Sequence, residues 1–164
     1  MYEIIKLLFD ICLFKKGPQD LPYSRRLQYS LAALYAVIRY LLIDREAPWF
    51  AKGLQITVEI LFIAAFSWIM LYLDRRLNRY RQVSSAFYGT FALLGFFALP
   101  AAASLAIDRA PLLVFLVTVV LTGWFCGVTT HIVHHALEQR LNVSIPVALL
   151  FLLAAYLLLD VLSL

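Results

Sequence analysis

The sequence predicts an all-α integral membrane protein: a bundle of five transmembrane helices preceded by a short N-terminal amphipathic interfacial helix. Three observations carry that reading. Of 164 residues, 63% are hydrophobic and only 15% are charged, against about 45–50% and about 25% in an average soluble domain. So few charges leave too little polar surface to coat a water-soluble globule, and the mean hydropathy of +0.85 points the same way. Several apolar runs then approach the ~20 residues a helix needs to cross a bilayer.

The chain divides into residues 1–23, a cytoplasmic helix and Gly/Pro connector, and residues 24–164, the membrane domain. Residues 1–14 read MYEIIKLLFDICLF. Glu3, Lys6 and Asp10 recur at helical spacing and share one face, where each acid has a basic neighbour three or four residues away. Ile4, Leu7, Leu8, Ile11 and Phe14 cover the rest. A secretory signal carries positive charge before its apolar stretch; here acids interrupt the stretch and Lys15 and Lys16 follow it. The segment reads as an amphipathic helix lying in the cytoplasmic interface, with a hydrophobic cap on the bundle as the alternative. Gly17 and Pro18 end it. A turn-rich connector, residues 17–24, leads to Ser24, a candidate N-cap.

The expected spans cover residues 27–43, 53–73, 84–107, 112–137 and 145–164. Arg25 and Arg26 precede the first, and Trp49 follows it at a depth suited to an interfacial belt. Arg75, Arg76, Arg79 and Arg81 close the second. The third is rich in Gly and Ala and carries Pro100, which should kink it. Asp108, Arg109, Ala110 and Pro111 form the turn before the fourth. Loops this short make sequential spans antiparallel neighbours.

Lys and Arg counts orient the bundle. With the N-terminus inside, Lys6, Lys15, Lys16, Arg25, Arg26, Arg75, Arg76, Arg79, Arg81 and Arg140 are cytoplasmic, and Arg45, Lys52 and Arg109 are outside. That bias places the N-terminus in the cytoplasm and the C-terminus outside, in a membrane whose short loops and Arg-rich turn fit a bacterial inner membrane. The net charge of +4 serves orientation and anionic lipid rather than nucleic acid. Cys12 and Cys126, in apolar surroundings, are expected as reduced thiols.

Three constellations are candidates for chemistry. Arg39 and Glu59 fall at similar depth on the first two spans, and Asp160 falls in the same half of the fifth. A charge inside the membrane must be satisfied, so an interhelical polar cluster of Arg39, Glu59 and Asp160 is expected. The alternative has Arg39 snorkelling to the interface with Glu59 protonated. His131, His134, His135 and Glu138 share one face of the fourth span at i, i+3, i+4, i+7, a pitch suited to one metal ion. The string H-x-x-H-H resembles one histidine box of the membrane fatty-acid desaturases and hydroxylases. Those enzymes need several boxes, and this chain has three histidines in all. The other reading is polar rings resting at the interface near a helix C-terminus; no cofactor is then expected. Gly123 and Gly127 form a G-x-x-x-G that lets another helix approach, either the small-residue third span or a second copy of the chain.

Other chemistry has no support in the sequence. There is no phosphate-binding Gly loop, no G-x-S-x-G and no paired Cys motif. Asn142-Val143-Ser144 matches a glycosylation acceptor but falls on the cytoplasmic side.

An N-terminal cytoplasmic segment, the connector Gly-Pro-Gln-Asp-Leu-Pro-Tyr-Ser at residues 17–24 and five compact spans together resemble the Yip1-like family of small membrane proteins. The resemblance implies a non-enzymatic factor in trafficking, assembly or recruitment. The first functional expectation is accordingly a scaffold or accessory subunit. It would meet a protein partner or anionic lipid through Lys15, Lys16, Arg25, Arg26, Arg75, Arg76, Arg79 and Arg81. A small transporter or proton-coupled unit using Arg39, Glu59 and Asp160 is the second, and a metal-dependent membrane enzyme using the histidine cluster is the third.

Overall fold

A computed structural model describes residues 2–43, 48–105 and 111–162, and among these every regular element is helical. The helices are α1 (Tyr2–Cys12), α2 (Arg25–Leu42), α3 (Trp49–Leu73), α4 (Tyr80–Leu105), α5 (Pro111–Leu137) and α6 (Leu141–Leu162). Residues 1, 44–47, 106–110 and 163–164, which include the turn expected at 108–111 in part, lie outside the described residues. Among the described residues four helical segments are long and apolar enough to cross a membrane: Trp49–Leu73, Leu77–Ala103, Phe115–Leu137 and Leu141–Val161. The first expected span, α2, is not among them. It has 18 residues, and Arg25, Arg26 and Arg39 dilute its apolar content.

Boundaries differ from expectation where turn signals were ambiguous. α3 starts at Trp49, a turn earlier than residue 53, with Pro48 in the extended conformation just before it. α6 starts at Leu141 although Pro146, its sixth residue, lies within it and removes one intrahelical N–H donor. Ser24 does cap α2, its hydroxyl accepting from the Leu27 amide at 3.5 Å.

α4 is the centre of the bundle. It packs most extensively on α2, then on α5, and also meets α1 and α3, while α6 packs on α5 and α3. Two glycines of α4 permit this crowding. A Cβ at Gly95 would come within 2.8 Å of Ile38 on α2, and one at Gly89 within 2.5 Å of Leu8 on α1. The core between helices is aromatic: Phe151 lies 4.8–5.9 Å from the rings of Phe66, Phe62, Phe87 and Phe91. Thr90 and Thr129 are fully buried there, their hydroxyls donating to carbonyls of their own helices, Ala86 and Phe125.

Three helices end in the left-handed conformation at residues that are not glycine: Phe14 (φ 61°), Arg75 (φ 57°) and Glu138 (φ 51°). The first two complete Schellman turns. Lys15 N–H donates to Asp10 and Phe14 N–H to Ile11 after α1; Arg76 N–H donates to Leu71 and Arg75 N–H to Tyr72 after α3. Glycine fills this position at no steric cost, whereas other L-residues lose roughly 1–2 kcal/mol. Each of the three side chains must therefore have a reason to be there.

Candidate functional site

Glu59 sits at the centre of a buried polar group formed where α2 faces α3. It is 6% exposed. Arg39 donates from Nε to Glu59 Oε2 at 2.6 Å and from Nη2 to Oε1. The Tyr35 hydroxyl donates to Oε2 at 2.7 Å, and Gln55 Nε2 reaches Oε1 at 3.3 Å. The expected Arg39–Glu59 pair is thus formed, in the two-point geometry a guanidinium gives a carboxylate. Tyr35 and Gln55 were not anticipated as partners. The spacing contained them: Tyr35 precedes Arg39 by four residues and Gln55 precedes Glu59 by four, so each lies on the same helical face as its charged neighbour.

Asp160 is an exposed residue of α6, and the cavity beside Arg39 and Glu59 is lined by Ala155, Tyr156, Leu158 and Leu159 of that helix.

The histidine cluster has another occupation. His131 Nε2 lies 2.8 Å from the carbonyl of Lys16, and its ring meets Phe14 edge-on at 5.3 Å. His131 and His135 rings are 4.4 Å apart and His134 and His135 5.3 Å. Glu138 is not on their face. α5 ends at Leu137, Glu138 turns into the left-handed region, and its carboxylate accepts from Arg76 and Arg79 at 2.5 Å each. Those arginines hold its pKa below the ordinary carboxylate value. Among the described residues no three His, Cys, Asp or Glu side chains form a metal-holding group. Of the expected ligand set, His131, His134 and His135 lie together, whereas Glu138 pairs with the arginines.

Gly123 and Gly127 have different surroundings. A Cβ on Gly123 would meet nothing within 4 Å, while one on Gly127 would lie 3.0 Å from the ring of Phe14. The notch therefore receives the N-terminal segment and not α4. Trp124 donates from Nε1 to the Cys12 carbonyl at 2.8 Å. Trp124, Gly127 and His131 recur at three- and four-residue spacing, so one ridge of α5 holds the whole C-terminal end of α1. At ~1.5 Å rise per residue, Trp124 lies about 20 Å before the end of α5, so α1 rests on the flank of the bundle. This latch also explains the strained Phe14: the left-handed turn aims its ring at Gly127 and His131.

The same end of the bundle is cross-tied throughout. Gln82 donates to the carbonyls of Gln19 (3.0 Å) and Leu21 (2.7 Å), and Gln28 to the hydroxyl of Ser84 (2.9 Å). Arg81 stacks over Tyr23 at 4.7 Å. Arg76 pairs with Asp74 at 2.9 Å, and Gln139 reaches the other Asp74 oxygen at 3.2 Å. The basic residues expected to contact a partner or lipid therefore divide. Arg76, Arg79 and Arg81 are engaged internally, Lys16 is exposed but lies 3.9 Å from the Asp10 carboxylate, and Lys15, Arg25, Arg26 and Arg75 are exposed.

Compared with protein-family models, curated proteins and solved structures, the chain has no significant match to any of them.

Proposed function

We propose that this protein is a non-enzymatic scaffold or accessory subunit of a bacterial inner membrane, of the Yip1-like kind. Its basic cytoplasmic end would dock an acidic surface of a partner protein. In this reading α2 is the first of five spans, because the Arg39–Glu59 pair neutralises the charge that lowers its hydropathy. The N-terminus and the connector lie in the cytoplasm and the C-terminus outside. α1 rests on the flank of the bundle beside these spans, packing Leu8, Ile11 and Cys12 inward and turning Tyr2, Ile5 and Phe9 outward.

One observation carries the proposal. Arg75 is exposed and held at φ 57°, at a helix end where glycine would be free of strain. Phe14 and Glu138 occupy the same conformation with visible packing or pairing, but the side chain of Arg75 points to solvent. Its exposed charge, with those of Arg25, Arg26 and Lys15, supplies the positive field that an acidic partner surface would meet. Photocrosslinking amino acids placed at positions 26 and 75 in native membranes test this. A discrete adduct from both, and none from position 49, supports the docking face; only lipid adducts from either position contradict it.

A further inference from the structure

The bundle carries an open-sided pocket of about 580 Å³ beside the Arg39–Glu59 pair, within the ~300–1,000 Å³ of ligand-binding pockets. All five long helices contribute to it. Phe62, Leu94, Leu121, Phe125 and Phe151 make its wall apolar, and Tyr35, Arg39 and Glu59 supply a polar pole.

The chemistry of that pole selects an occupant. A carboxylate has about four acceptor positions, and Glu59 receives four hydrogen bonds, from Tyr35, Gln55 and twice from Arg39. It has no acceptor left for a cation or a hydroxyl donor. The guanidinium is different, because only Nε and Nη2 engage Glu59 and the Nη1 amine takes no part in that pairing. The pole thus offers N–H donors to an incoming acceptor oxygen. Arg39 and Glu59 together carry no net charge, so an anion entering here would leave one uncompensated charge in a low-dielectric site. A neutral carbonyl leaves none.

We propose that this cavity binds a neutral acyl lipid, with an ester carbonyl accepting from Arg39 and an acyl chain lying among the phenylalanines. The inference is independent of the docking face, which lies at the basic end of the bundle.

The test uses the full chain in phosphatidylcholine vesicles with two diazirine probes, a diacylglycerol and the matching fatty acid at pH 8, and maps the adducts by mass spectrometry. The diacylglycerol is expected to label α4 and α5 at cavity residues such as Leu94 and Leu121, and to be displaced by unlabelled diacylglycerol. Ala98→Phe fills the space and keeps the pair. Arg39→Met with Glu59→Gln removes the donors without stranding a charge. The double variant should lower cavity labelling about tenfold, the loss expected for one hydrogen bond to a charged donor, and Ala98→Phe should lower it by occupying the space. Size exclusion and circular dichroism confirm folding, and displacement of the probe from the unaltered chain is decisive even where a variant unfolds. Adducts spread over outward residues such as Leu149 and Leu153, unchanged labelling in the double variant, or preference for the ionised fatty acid would each overturn the proposal.

Discussion

Arg39 and Glu59 meet fork to carboxylate across α2 and α3, with Tyr35 and Gln55 completing the shell around Glu59. The pair is what makes two charged helices compatible with an apolar bundle. Removing one member leaves the other charge without its partner, which typically costs about 3–5 kcal/mol. Glu59→Gln alone should therefore lower stability in detergent by several kcal/mol. Combining it with Arg39→Met should recover most of the loss. Thermal unfolding of the two single variants and the double closes the cycle, and additive losses would refute a coupled pair.

The α1 latch rests on a close approach and one indole. Gly89→Leu places atoms where the Leu8 side chain already lies 2.5 Å from a Cβ, so α1 should detach while the bundle stays folded. Trp124→Phe removes the N–H that satisfies the Cys12 carbonyl, a loss of roughly 1 kcal/mol. Hydrogen exchange should rise in residues 2–16 and stay unchanged in α4 and α5. Uniform deprotection would instead make α1 part of the core.

The two thiols should differ sharply. Burial pushes the Cys12 thiol up to about 12, so it carries almost no thiolate at pH 8 and should resist alkylation until the protein unfolds. Cys126 is half-exposed and lines the cavity. A small apolar maleimide should modify Cys126 first, and peptide mapping after brief exposure checks the order.

Acid should loosen the basic end. The pKa of Glu138 is depressed by its hydrogen bonds to Arg76 and Arg79, so its contribution is present above the unfolded carboxylate value and is lost as pH falls through the folded one. Hydrogen exchange in residues 74–80 should rise as pH drops below about 4.3, the ordinary Glu value. Glu138→Gln should show that elevated exchange at neutral pH, with no further acid step.

Arg75→Gly separates folding from recognition. Relief of the left-handed strain is offset by glycine's greater chain entropy, leaving stability unchanged or raised by on the order of 0.5 kcal/mol. Partner recovery should fall at the same time. Chemical unfolding and co-purification on the same preparations check both.

Much of the architecture was legible because hydropathy and charge act locally. Apolar runs marked the long helices, and charges too costly to leave alone marked Arg39 and Glu59. The rest depended on facing. Asp160 matched the pair in depth and is exposed on α6. Gly127 and His131 were visible as a ridge, yet their partners, Phe14 and Lys16, lie more than a hundred residues away with no local trace. Glu138 continued the histidine spacing until α5 ended one residue before it, and that ending follows from Arg76 and Arg79 on another turn.

The most direct test of the account is recovery of a partner from native membranes with the intact chain and with Arg26→Glu/Arg75→Glu. These exposed positions leave the Glu138 pairing and the connector bonds untouched, so the variant should fold. The account predicts one acidic-surfaced protein at fixed stoichiometry with the intact chain, weakened by salt and lost from the variant. A partner-free monodisperse monomer, or equal recovery with the variant, would contradict it.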